Sequence, residues 1–115
     1  MSKRFPTSHR EKIILPIGYD DPATGGNFTD AEVRAVTGAD EMYIAMSPEY
    51  GRHQNDIVYK NLLLSRCVTR LGPRTLVTLD DILRLHAEDL RVLELAVYRI
   101  TYGEEALAAE AGGPG

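Results

Sequence analysis

A single cysteine, Cys67, excludes an intramolecular disulfide and leaves a thiolate metal cluster out of reach. A reducing compartment is the straightforward reading. The three histidines, His9, His53 and His86, lack the spacing that would set two imidazoles on one helical face. Long apolar runs are missing too, since Leu62-Leu63-Leu64 is far too short to cross a bilayer. The basic start Met1-Ser2-Lys3-Arg4 lacks the apolar stretch a secretion signal needs. Cytoplasmic residence, or incorporation in a larger particle, is therefore expected. Positive charge is scarce: 13 Lys and Arg against 17 Asp and Glu give a net charge of -4. Nucleic-acid binding draws much of its affinity from cations facing phosphates, so neither nucleic acid nor membrane is an expected partner.

What is present is an ordinary globular composition, 43% hydrophobic and 26% charged, in a chain of 115 residues with room for one core. Residues 1–11 are polar and read as a flexible arm. Ile13-Ile14-Leu15-Pro16-Ile17 is β-rich, with Pro16 confining it to an edge or an interrupted strand. Asp20-Asp21-Pro22 and Gly25-Gly26-Asn27 give the strongest turn signal. After it, Phe28, Asp30, Glu32 and Arg34 alternate with Thr29, Ala31, Val33 and Ala35. That pattern favours a second strand, although Thr29 to Glu32 could also open a helix. Residues 12–36 are thus read as a hairpin.

Helical signals dominate residues 37–103. Thr37 with Asp40, and Thr78 with Asp81, match capping boxes. Met42, Ile44, Ala45 and Met46 give a short apolar face ending at Ser47-Pro48, and Tyr50-Gly51 marks a joint. A stripe of Ile57, Asn61, Leu64, Val68 and Leu71, widened by Leu63 and Cys67, predicts a helix over 55–71, stopped by Gly72-Pro73. Leu79, Ile82, Leu83 and His86 form the inner face of the next helix. Ala87-Glu88-Asp89 either continues it or starts a last helix running to Tyr102. That last segment has a very wide apolar face, which either forms the core of a bundle or meets a partner. Residues 104–115 are rich in Ala, Glu and Gly and are expected to be a flexible tail. The expected class is α+β, mainly α: a hairpin and three to four short helices in one domain over 12–103.

Nothing in the sequence assembles a catalytic centre. Cys67 lies beside the apolar stripe of its helix and reads as a small buried hydrophobe. Asp20-Asp21, Asp80-Asp81 and Glu88-Asp89 each have a turn or capping role. Gly25-Gly26 lacks the Lys and Ser/Thr that let a glycine loop cradle phosphate. Thr78 to Ile100 superficially resembles a helix-turn-helix, but its second helix is too apolar to read a DNA groove. No enzyme activity, cofactor or metal is expected.

Four stretches, in order, resemble the small tail or baseplate assembly proteins of contractile-tailed phages and related contractile injection systems. They are Ile14-Leu15-Pro16-Ile17-Gly18-Tyr19 with its turn, Val33 to Glu41, Leu62 to Gly72, and Asp89 to Gly103. The resemblance implies a non-enzymatic chaperone or adaptor whose partners are tail, hub or baseplate proteins. A minor structural subunit of the same particle is the alternative, and a small acidic regulatory or DNA-binding protein a second one. Members often continue past the closing glycine into a cysteine-containing extension. Here the residues that follow are Ala- and Gly-rich, so no metal role is carried over. Candidate protein-binding residues are Arg34, Asp89, Leu90, Leu93, Val97, Arg99, Ile100 and Tyr102, and self-association is compatible with this reading. Arg34 and Arg99 are also placed to pair with acids such as Asp40, Glu41 or Asp89, locking hairpin to helices.

Overall fold

The β-rich run after the arm forms strand β1 (Glu11–Asp20) in the computed structural model, which describes residues 6–103. Asp21 closes the turn that follows. Its carbonyl accepts from the Gly25 N–H at 2.8 Å, and its carboxylate takes the Ala23 N–H at 3.1 Å and the Thr24 hydroxyl at 3.0 Å. Gly25 sits at φ +74, a conformation glycine supplies without steric cost. Strand β2 (Asn27–Val33) then pairs antiparallel with β1, burying Ala31 and Val33 and exposing Asp30. The hairpin is as expected.

Register runs evenly from Glu11 opposite Val33 to Ile14 opposite Asp30, then slips before resuming at Tyr19 opposite Phe28. Pro16, which has no N–H to give the ladder, sits inside the slip. The bulge turns the amides of Ile17 and Gly18 away from β2. Both donate, at 2.9 Å each, to the two carboxylate oxygens of Asp89. Gly18 has φ +107, and a Cβ there would strike the Asn27 side chain.

Helix α1 (Gly38–Ala45) follows, with the Asp40 carboxylate accepting the Thr37 N–H at 2.8 Å. As expected, α1 ends just before Ser47-Pro48, with Ser47 extended; Pro48 then occupies the first turn of a short helix, α2 (Pro48–Arg52), where a missing N–H is harmless. The predicted joint at Tyr50-Gly51 is therefore helical. Helix α3 (Asp56–Cys67) is capped by Asn55, whose side chain accepts from the Val58 N–H at 3.0 Å.

The predicted helix over 55–71 is corrected at its end. It stops at Cys67, and Val68–Leu71 forms β3, which pairs antiparallel with β2 to complete a three-stranded sheet ordered β1-β2-β3. The Cys67 carbonyl, instead of closing another helical turn, accepts the Arg34 N–H at 2.9 Å. Sheet pairing thus overrides a helical period that Val68 and Leu71 happened to continue; both are buried either way. At the other end Ile57 is 72% exposed, and Leu62 rather than Ile57 faces the core.

Helix α4 (Leu79–Leu83) opens on the expected Thr78–Asp81 box and is shorter than predicted. His86 is not on its inner face. It is exposed and caps the next helix, its Nδ1 accepting the Glu88 N–H at 3.0 Å, while Leu85 takes the buried position. Helix α5 (Ala87–Tyr102) lies against β1 and β2, and α3 runs between α1 and α4. Among the described residues there are thus five helices, more than expected, over one sheet. The core gathers Leu15, Tyr19 and Val33 from the hairpin, Leu64 and Cys67 from α3, and Leu93, Val97 and Ile100 from α5. Glu11, placed in the arm by sequence, already belongs to β1 and forms an ion pair with Arg99. Residues 1–5 of the arm and the predicted tail over 104–115 lie outside the described residues.

Replacing Asp89 with alanine leaves two amides of the bulge without their acceptor. Urea denaturation of Asp89→Ala should show a loss of about 3 kcal/mol; an unchanged midpoint would mean the bulge is held by other contacts.

Candidate functional site

Asp40, Asp81 and Asp89 are each no more than 2% exposed, and each is a hub of hydrogen bonds. Asp40 receives both terminal nitrogens of Arg34 at 2.8 Å and Nε of Arg66 at 3.0 Å, tying α1 to the end of β2 and to α3. Arg66 also lies 4.6 Å above the Tyr43 ring. Burial pushes the Asp40 carboxyl up, but Arg34, the Thr37 amide and Arg66 outweigh it and hold it well below the usual carboxylate range. Asp81 accepts the Tyr19 hydroxyl at 2.8 Å, Arg74 Nε at 2.6 Å and the Thr78 N–H at 2.9 Å. Burial and the hydrogen bond to Asp81 push the Tyr19 phenol up to about 12. Among the described residues every buried side-chain nitrogen and oxygen has a partner. These acids hold elements together, and each of their carboxylate oxygens accepts at least one protein donor.

The expected locking arginines are both found. Arg34 pairs with Asp40, and Arg99 pairs with Glu11 rather than with Asp40, Glu41 or Asp89, joining α5 to β1. Cys67 is fully buried, with Sγ 3.9 Å from Asp40 Oδ2. Burial first, then the Asp40 carboxylate, push its thiol up to about 12 against the pull of Arg34 and Arg66. Among the described residues there is no cluster of His, Cys, Asp or Glu able to hold a metal ion. No helix there is long and apolar enough to cross a membrane.

A groove of about 420 Å³, lined largely by apolar side chains, lies between α3 and α5. Its floor is Leu63, Leu64 and Val97; its walls are Tyr59 and Lys60 from α3, and Glu94, Leu95, Tyr98 and Tyr102 from α5, with Val36 and Glu41 at one end. Leu95 is 56% and Tyr102 46% exposed. The Tyr98 and Tyr102 rings, one turn apart, lie 4.9 Å from each other at a 50° tilt, and Tyr59 meets Tyr50 edge-on at 5.9 Å. Lys60 reaches across to Glu94 at 3.8 Å.

The residues singled out from sequence divide sharply. Tyr102 is on the groove wall and Val97 on its floor. Leu93 and Ile100 are buried in the core and offer no surface to a partner; Leu90 is half-buried against that core. Asp89 is enclosed by the β1 bulge, and Arg34 and Arg99 are engaged in ion pairs. The docking role expected of Leu93, Ile100 and Asp89 is therefore corrected to a packing role. Tyr59, Leu63, Leu95 and Tyr98 were missed. The i,i+4 pair Tyr98 and Tyr102, on a helix whose other face supplies the core, was the available signal.

Two outcomes follow from these environments. Near neutral pH the folded chain should leave Cys67 unmodified by iodoacetamide, with labelling appearing only on unfolding; prompt labelling of the native state would contradict its burial. Asp40 has a folded-state pKa below that of the unfolded chain, so its contribution is complete above about pH 4 and is lost as pH falls below it. Asp40→Asn should cost about 3 kcal/mol near neutral pH and flatten the acid decline of stability, measured by denaturation at several pH values.

Compared with protein-family models, with curated proteins and with solved structures, the chain matches none.

Proposed function

We propose that this chain is a non-enzymatic protein-binding factor in the assembly of a phage-like contractile tail or baseplate. The observation that carries the protein-binding part is the α3–α5 groove. It presents leucine and tyrosine to solvent while, among the described residues, every buried side-chain nitrogen and oxygen already has a partner. Tyrosine-rimmed apolar surface is characteristic of protein contact sites, where a ring offers large area at low entropic cost. The assignment to a contractile particle is supported by the four sequence stretches alone. Three of them have clear structural roles: the bulge around Pro16, the Arg34–Asp40 lock, and α5 with its anchoring Asp89. An assembly factor needs a stable scaffold and one adhesive face, and no reactive group is required of it.

In the native host, the tagged full-length chain should co-purify with hub, tube or baseplate proteins and be absent from finished particles by mass spectrometry. A fixed copy number in washed particles would make it a minor structural subunit instead. Normal particle assembly in a deletion strain would remove both readings.

A further inference from the structure

The groove between α3 and α5 has a chemistry that selects among partners. Its walls are side chains of two helices, whose backbone N–H groups are closed within their own turns. No edge is free there for an added strand. What two splayed helices accept is a third helix, laid with its ridge of apolar side chains into their groove.

The charges along the groove are unequal in their partners. Lys60 is spent on Glu94, which also accepts Arg91, leaving no unpaired cation on that wall. Glu41, exposed at one end of the groove, has no ion-pair partner among the described residues. Tyr59, near enough to Glu41 to feel its charge, shares the groove lining with Tyr98 and Tyr102, and phenol ring faces attract cations. A free carboxylate in a groove that also carries three phenol rings favours a guanidinium or ammonium group and repels an acid. The net charge of -4 disfavours a second copy of this chain as the occupant.

We propose that the α3–α5 groove binds an amphipathic helix of a partner protein, its leucine-type stripe on Leu63, Leu95 and Tyr98 and an arginine or lysine against Glu41 and the tyrosines. This rests on the protein-binding reading and specifies the chemistry of the partner. The helix lies across both walls, and its cationic residue fixes which way round it docks.

The test uses the full chain and synthetic alanine-based helical peptides, read by calorimetry and by chemical-shift changes. One peptide carries leucines at i, i+3 and i+7 with an arginine one turn beyond; a second has glutamate in place of the arginine; a third has serine in place of the leucines. The first should bind and shift resonances of Leu63, Leu95 and Tyr98. The second should bind at least about tenfold more weakly, a difference of about 1.4 kcal/mol, and the third should not bind. Glu41→Lys should invert the preference between arginine and glutamate peptides, and Leu95→Asp should abolish binding. Both positions are exposed, so circular dichroism should show the parental fold. Equal binding of the arginine and glutamate peptides, no binding of any peptide, or a Leu95-dependent homodimer in light scattering would each overturn the assignment. A client that co-purifies equally well with Glu41→Lys and Leu95→Asp would overturn the groove while leaving the assembly-factor reading intact.

Discussion

A carboxylate taken out of water must be given donors, and this fold is arranged around that requirement. Among the described residues four aspartates are buried; Asp21 serves its own turn, and Asp40, Asp81 and Asp89 are each satisfied by groups from elements distant in sequence. Asp89 fixes α5 to the interrupted strand, Asp40 fixes α1 to α3 and the end of β2, and Asp81 fixes α4 to Tyr19 of β1. Hydrophobic burial drives collapse without choosing among similar arrangements; hydrogen bonds with fixed directions choose. A chain with a core this small gains its unique geometry from that second term. Whether such groups also add net stability depends on their donors, since a buried ion pair by itself roughly breaks even.

Much of this was legible in the residues, and the failures have physical reasons. The hairpin could be read because alternation and turn chemistry agree, and the capping boxes because Thr and Asp at that spacing have little else to do. The strand over Val68–Leu71 could not be read. Four residues continuing a helical stripe carry no local mark of a strand, and only the neighbouring β2 decides the matter. His86 was misplaced for a related reason: a cap and an inner-face position differ by where the chain turns. The locking role of arginine was visible as a tendency, yet Arg99 found Glu11, an acid from the segment assigned to the arm.

The candidate site was legible as a property and not as a list. Excess apolar surface on α5 was evident from its sequence, but periodicity alone cannot separate the face that meets the sheet from the face that does not. By hydrophobicity alone Leu93, Val97 and Ile100 rank above Tyr98 and Tyr102 as docking residues, although Tyr102 is a candidate beside them. Burial reverses the ranking: the most apolar residues fill the interior, and the amphipathic tyrosines, which tolerate water at one end, remain on the wall.

At Cys67 the chain passes from α3 into β3 without an intervening loop. A helix joined in this way cannot roll or slide independently, because a one-residue slip would turn Val68 and Leu71 outward and break the pairing with β2. One bank of the groove is therefore geared to the sheet. The opposite bank is geared too, through the carboxylate of Asp89 in the first turn of α5. The cleft is consequently held on both sides, so that a helix docked as proposed would meet a shape that already exists and bear the ordering entropy itself.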